Sequence, residues 1–353
     1  MANCKHPLVR ERSSGRILGS LQHLVECGAP ESKYLYEIDY QLIPCGQCIA
    51  CRLNYSRQWA ARCTCETIYH SEQWFLTITY NNDSVPTLNL ETGEIDRGGY
   101  WALNQNQAGD FTSVEQSLTL LPTDLQLFLK NLRRQQEYHY KQYGTIRFYA
   151  CGEYGGKTLR PHYHMLAYGL HIPDLEYYKT TNEGNEYYTS EYLNRIWGKG
   201  FIIVGKLSWN SCAYVSRYVM KKQMGKDENG LTAKDRYFEA GLQPEFVRMS
   251  LKPGIGQKYF EDHKEEIYRN DEIILPGGKK PIRMKPPKKF DEWFEEINPD
   301  KMKEVKEERE QQVKQNQHNQ LKNTSLTYCE MLDTQERTLK KKMKNIRRLD
   351  NED

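Results

Sequence analysis

Phe75-Leu76-Thr77-Ile78-Thr79-Tyr80 is a β-branched and aromatic run closed by the turn residues Asn81-Asn82-Asp83, and it predicts a strand. Working outward, a Gly- and Asn-rich stretch over residues 84–120 is expected to be an insertion with its own hairpin. Thr123 or Asp124 is expected to cap a helix whose Leu125, Phe128, Leu129 and Leu132 recur at i, i+3, i+4 and i+7, one buried stripe stopped by Gly144. Residues 145–151 alternate like a second strand, Gly155-Gly156 turns the chain, and residues 161–168 read as a third. A polar loop rich in Tyr and Asn leads to a short helix over residues 190–197, closed by Gly200. Residues 201–204 then read as a buried strand, and Ser211 opens a helix through Tyr214, Tyr218 and Lys222. The order β-α-β-β-α-β plus one helix predicts an α+β fold of the ferredoxin-like, split βαβ type. Its antiparallel sheet should carry helices on one face and leave the other free for a site.

The third strand carries the chemistry. In His162-Tyr163-His164, strand periodicity puts the two imidazoles on one face and Tyr163 on the other. Imidazoles about 7 Å apart along a strand can converge on one cation. Two partly buried histidines bonding carbonyls is the plainer alternative. Glu153 ends the preceding strand, and a hairpin would return it to within about 5 Å of the pair. Two imidazoles and a carboxylate leave open positions on a divalent ion, where a phosphate oxygen could bind. On the following helix, Tyr214 and Tyr218 are four residues apart and share a face, with Lys221 and Lys222 next along it. A phenol attacks at neutral pH only when a cation stabilises its anion, and Arg217, Lys221 and the metal are available. Two tyrosines simply packing on the sheet is again the plainer alternative.

Composition sets the limits. The chain has 353 residues, enough for one large domain or two ordinary ones. No stretch approaches the roughly 18 apolar residues of a membrane span, and no apolar run follows the start, so neither a spanning nor an exported protein is expected. Fifty Lys and Arg against 47 Asp and Glu neither demand nor exclude a polyanionic partner. The 25 tyrosines suit wet surfaces and base stacking, although biased codon usage would produce the same excess. Ten cysteines without a signal sequence point to a reducing compartment, and so to metal or plain thiols before disulfides.

Three regions are expected: a Cys-rich segment over residues 1–70, a central domain over 71–260, and a basic linker with a charged tail, helical or partly disordered, over 261–353. In the first, Cys45, Cys48 and Cys51 share one helical face, and Cys4 could close a four-thiolate zinc site, with Cys63 and Cys65 as competitors. Ordinary reduced thiols would give the same spacing. Arg52, Arg57 and Arg62, interleaved with Tyr55 and Trp59, suit phosphate contact plus stacking, or else a solvated helix face. Lys279, Lys280, Arg283, Lys285, Lys288 and Lys289 form a Pro-broken basic segment, either an extended phosphate-binding arm or a solvated linker.

These motifs together resemble the HUH endonucleases, specifically the rolling-circle replication initiators of microviruses of the gokushovirus group. The resemblance is carried by residues 75–80, by Gly152-Glu153-Tyr154-Gly155 with Arg160-Pro161-His162-Tyr163-His164, and by Tyr214-Val215-Ser216-Arg217-Tyr218-Val219-Met220-Lys221-Lys222. Pro44-Cys45-Gly46-Gln47-Cys48 with Cys51-Arg52, residues 57–60, and Lys252-Pro253-Gly254-Ile255-Gly256 extend it. The resemblance implies Mg²⁺ or Mn²⁺ held by His162, His164 and Glu153 at the scissile phosphate of single-stranded or supercoiled circular origin DNA. It implies attack by one tyrosine to leave a 5′-phosphotyrosine and a 3′-OH primer, and rejoining of the circle through the second. Tyr218 with Lys221 matches the Tyr-x-x-Lys form, and Tyr214 is the added partner. It also implies work in the cytoplasm of a bacterial host with the host's replication helicase, polymerase and single-strand binding protein. Two other classes fit parts of the pattern: a zinc-containing single-stranded DNA-binding protein without catalysis, and a mononuclear iron oxygenase using two His and one carboxylate.

Overall fold

The computed structural model describes residues 4–97, 116–155, 158–182, 184–223, 235, 237, 241–277 and 280–349, with the backbone alone at 116, 217–223 and 344–349. The chain forms two compact units, one of Arg57–Pro287 and one of Met1–Ser56 with Lys288–Asp353. Helix α1 (Ile49–Thr67) begins in the second of these and ends in the first.

In the unit Arg57–Pro287, strands β1 (Gln73–Thr79), β2 (Arg147–Tyr154), β3 (Pro161–Tyr168), β4 (Ile202–Lys206) and β5 (Phe246–Met249) lie in one sheet. Two further strands, Glu176–Thr180 and Glu186–Thr189, extend it to seven, and every pairing is antiparallel. The central order β4-β1-β3-β2 is the split βαβ arrangement that the element order predicts.

Helices α2 (Pro122–His139) and α3 (Glu191–Trp197) cover one face of this sheet. The stripe Leu125, Phe128, Leu129 and Leu132 meets Leu76, Ile78, Met165, Ile202 and Val204, which alternation along the strands points the same way. The start of α2 differs from the expected cap. Pro122 occupies the first turn, where its missing N–H is no loss, and Leu121 precedes it without a side-chain cap. Asp124 is turned inward instead, accepting from Tyr80 Oη at 2.6 Å and from Arg97 at 2.8 Å. Ser190 caps α3 by accepting the Leu193 N–H, but Gly198, with φ of 62°, ends it rather than Gly200. Gly200 has another duty, since a Cβ there would lie 2.1 Å from the Thr79 carbonyl oxygen. Only glycine lets the chain enter β4 so close to the end of β1.

The opposite face is not left free, contrary to the sequence expectation. Ala60 and Cys63 of α1, Cys212 and Val215 of α4 (Trp209–Gln223), and Ile255 bury Tyr149, Cys151, Leu166 and Tyr168 in a second core. Near the start of β3 this face is partly accessible, the His162 side chain being 20% exposed. The expected polar loop is also structured: Glu176–Thr180 and Glu186–Thr189 pair antiparallel, and their exposed or half-buried tyrosines and threonines fit strands near a sheet edge but carry no apolar alternation. The insertion contributes a small sheet of Pro86–Asn89, Ile95–Arg97 and Gln116–Leu118, while residues 98–115 of it lie outside the described residues.

The basic segment is not an extended arm through its middle. Ile282–Met284 pairs with Ile273–Leu275, Arg283 donates to Glu272 and Lys285 to Asp271; Lys279 lies outside the described residues. In the other unit, strands Leu8–Glu11, Ile17–Ser20 and Tyr40–Ile43 form a sheet, and the charged tail is helical over Lys288–Ile297, Pro299–Lys322 and Tyr328–Leu349. Val9, Leu21, Tyr34 and Leu35 share a core with Tyr328, Met331 and Leu332. The Glu31 carboxylate accepts the Tyr328 and Cys329 N–H groups, where a helix N-terminus favours negative charge. Among the described residues no helix is long and apolar enough to cross a membrane.

Candidate metal centre

Strand register assembles the centre. The β2–β3 pairing sets Glu153 opposite His162 and Cys151 opposite His164, and the β1–β3 pairing sets Thr77 opposite His164 and Thr79 opposite His162. Partners across a ladder point to the same face, so these side chains converge on the face that carries the second core. Tyr163 points away, its hydroxyl 2.6 Å from that of Tyr80 and donating to the Leu121 carbonyl.

Glu153 Oε1 lies 2.8 Å from His162 Nε2 and 3.0 Å from His164 Nε2. The other ring nitrogens face outward: His162 Nδ1 is 3.1 Å from the Arg160 carbonyl and His164 Nδ1 is 3.1 Å from Thr77 Oγ1. A carbonyl only accepts, so His162 Nδ1 carries a hydrogen. At 2.8 Å, a carboxylate oxygen and a nitrogen lone pair would repel. The contact therefore needs a second proton or a cation, and anchoring Nδ1 elsewhere is the usual support of a metal-binding imidazole.

Electrostatics agree. Burial would raise Glu153, but its hydrogen bonds to His162 and His164 outweigh this and hold the carboxyl at about 2. Burial lowers His164, which keeps its imidazole neutral, as a ligand must be. Glu153 Oε2 is buried and has no hydrogen-bond partner among the described residues. Such an atom is costly unless an ion or water takes it up, so the donor set fits a divalent cation. Of the described residues, two groups are arranged to hold a metal ion, this one and Cys4, Cys45, Cys48 and Cys51.

Phe75 stacks on His164 with centroids 5.4 Å apart, and the Tyr214 ring meets His164 edge-on at 5.4 Å. The helix α4 thus brings Tyr214 to the centre. Tyr218 and Lys221 lie on the same helix, but their side chains fall outside the described residues. The arginine segment is mixed. Arg57 is exposed, whereas Trp59 packs near Tyr149 and Arg62 stacks on Trp59 while donating to the Ile255 carbonyl. Arg52 is half-buried in the other unit. Cys63 and Cys65 are fully buried within the unit Arg57–Pro287 and outside the thiol cluster, and burial pushes both thiols up. Sequence reasoning missed Thr77, Phe75 and the Arg160 carbonyl. The signal for the first two was available, because residues 75, 77 and 79 share the parity that faces the histidines.

Residues 73–223, which contain the whole centre and α4, match the family model for the replication-associated protein ORF2. The chain is similar to the replication-associated protein ORF2 of Spiroplasma virus 4, 33% identical over 268 residues that cover 74% of this chain and 72% of that protein. It is also similar to the replication-associated protein VP4 of Bdellovibrio phage phiMH2K, 28% identical over 74% of this chain and 70% of that one. A third relative, the replication-associated protein ORF4 of Chlamydia phage 1, is 27% identical over 67% of this chain and 50% of its own. No solved structure is significantly similar. By its sequence, and by the segment in which Glu153, His162 and His164 fall, the chain belongs to the ORF2 family of phage replication-associated proteins.

Proposed function

We propose that this protein initiates rolling-circle replication of a small circular phage genome by nicking its origin and later rejoining the displaced strand. The observation that carries the reading is the convergence of Glu153, His162 and His164 beside Tyr214, within the segment shared with the family. Residues 71–260 act as the endonuclease domain in this reading. A bound Mg²⁺ or Mn²⁺ would supply Lewis acidity at the scissile phosphate. Glu153 contributes the negative charge of the site, and His162 and His164 are held by Arg160 and Thr77 with Nε2 inward, so little reorganisation is needed on binding. A tyrosine hydroxyl attacks phosphorus and the bond to the 3′ oxygen breaks. The phenolic proton is lost, the 3′ oxygen takes up a proton, and a 5′-phosphotyrosine and a 3′-OH primer result. Tyr218, with Lys221 beside it in sequence, is the first nucleophile, and Tyr214 is the second. The substrate is single-stranded or extruded origin DNA in the cytoplasm of a bacterial host, where helicase, polymerase and single-strand binding protein extend the primer.

The test is incubation with circular single-stranded DNA carrying the phage origin and Mn²⁺, followed by a denaturing protein gel. A covalent adduct is expected, as is its loss in the Tyr214→Phe, Tyr218→Phe double variant, since Phe keeps each ring and deletes only the attacking oxygen. Tyr218→Phe alone should remove most adduct, and Tyr214→Phe should nick yet release no circles. Retardation of DNA without an adduct would point to a binding protein, and an adduct in the double variant would place the nucleophile elsewhere.

A further inference from the structure

The second cluster belongs to the unit Met1–Ser56 with Lys288–Asp353. Cys45 and Cys48 flank a turn whose Gly46 has φ of 76°, Cys51 sits in the first turn of α1, and Cys4 comes from the chain start. The Sγ atoms of Cys45 and Cys51 are 4.0 Å apart, as are those of Cys4 and Cys48, and all four lie within 4.8 Å of one another. A disulfide needs about 2.05 Å. Four sulfurs about 2.3 Å from a tetrahedral zinc ion are separated by about 3.8 Å, close to what is seen. The group is too tight to enclose a cluster of several irons.

Three backbone N–H groups are aimed at the sulfurs: Lys5 to Cys48 at 3.4 Å, Cys45 to Cys4 at 3.3 Å and Cys48 to Cys45 at 3.3 Å. Donors so placed suit anionic sulfur. Lys5 is itself buried, its Nζ donating to the neutral Gln335 Oε1 at 2.6 Å. Its ammonium also feels the Glu336 carboxylate, and it adds positive charge beside the sulfurs, which suits an anionic site. Ala50 and Leu339 pack over the cluster.

We infer that Cys4, Cys45, Cys48 and Cys51 bind one structural zinc ion that fastens the chain start and the 45–48 turn to the first turn of α1. Each thiol gives its proton to solvent as Zn²⁺ enters, leaving four thiolates with a net charge of −2 that Lys5 partly offsets. All four positions on the metal are taken by protein, so the site is closed to substrate and does no chemistry.

The test uses the full-length chain carrying His162→Ala and His164→Ala, so that any metal counted belongs to the cysteines. About one zinc per chain should survive dialysis against a mild chelator, and cobalt exchanged into it should give the intense visible bands of a tetrahedral four-thiolate ion. Cys48→Ser added to that chain should lose the zinc. Cys4→His, which keeps a ligand, should retain one ion with a cobalt spectrum altered by imidazole. Folded protein without metal, iron in place of zinc, a cysteine pair found oxidised in protein purified under reducing conditions, or zinc undiminished in Cys48→Ser would each overturn the inference. None of these readouts depends on nicking, so the two proposals fail separately.

Discussion

Glu66, paired with Arg147 at the first residue of strand β2, and Glu153, near that strand's other end, look alike by every simple measure. Glu66 is 4% exposed and Glu153 2%, and both carboxyls are held at about 2 against the cost of burial. Their partners differ. Glu66 receives the Arg147 guanidinium, the His70 imidazole at 3.2 Å and the Gly256 N–H at 2.7 Å. Arg147 continues to the Pro253 and Gly254 carbonyls, so a permanent cation and a backbone donor answer the charge on both oxygens. Glu153 has two imidazoles on one oxygen, and its other oxygen has no hydrogen-bond partner among the described residues. The first arrangement is complete as it stands and ties α1 to the sheet. The second is complete only with a proton or a cation supplied, which is what a ligand set requires. Burial and depressed acidity therefore do not identify a functional carboxylate; the permanence of its compensation does.

That contrast breaks most visibly if the histidines are removed. His162→Ala with His164→Ala should lower adduct formation on origin DNA by at least about 10³-fold per folded molecule, because a metal-dependent step loses two ligands, and should also lower Tm, because the buried Glu153 carboxylate is left without its imidazoles. Glu153→Gln should cost about 10²-fold in the same assay and leave stability almost unchanged, since it removes a buried charge along with its compensation. Adduct yields that survive either change would make Glu153 a structural group like Glu66.

Glu66→Gln should behave in the opposite sense. It leaves a buried guanidinium without its carboxylate, and urea unfolding at neutral pH should show a loss on the order of 2–3 kcal/mol, with adduct yield per folded molecule unchanged. The folded carboxyl is depressed, so its contribution is fully present above the free-carboxylate value near 4.5 and is lost as pH falls toward 2. The difference in stability between the parent protein and Glu66→Gln should therefore shrink steadily from about pH 5 to pH 2. A difference that stays flat across that window would mean the network contributes packing rather than charge.

How much of this could be read from sequence follows from the range of the interactions. The His162/His164 pair and Glu153 were legible because period-two alternation and a short hairpin are local rules, and both operate within a single hairpin. The stripe of α2 was legible for the same reason at the helical period of about 3.6. Glu66 was not, because its partners Arg147 and Gly256 are set by how α1 docks on the sheet, and no local pattern marks a docking contact. The second core was missed likewise: Tyr149, Leu166 and Tyr168 read as strand residues of either face until α1 and α4 cover them. The strands Glu176–Thr180 and Glu186–Thr189 escaped because their tyrosines and threonines satisfy strand sterics without the apolar alternation that announces a buried strand.

The smallest effect is the sharpest test of what supports the centre. Thr77 Oγ1 is 3.1 Å from His164 Nδ1, and the hydroxyl serves whichever way the imidazole is protonated. It donates when Nε2 carries the hydrogen toward Glu153, and accepts when Nε2 is a lone pair directed at a cation. Thr77→Val keeps the branched shape and the β-strand preference, so the stacking of Phe75 on His164 should persist and Tm should change little. What is lost is the group that orients the ring, and such losses weaken metal binding by about 10- to 100-fold. Adduct formation should therefore need at least about tenfold more Mn²⁺ for half-maximal yield, with the yield restored at saturating metal. An unchanged Mn²⁺ dependence would show that His164 is held by packing against Phe75 alone. Loss of yield that excess Mn²⁺ cannot restore would move Thr77 from supporting the ligand to contacting the DNA.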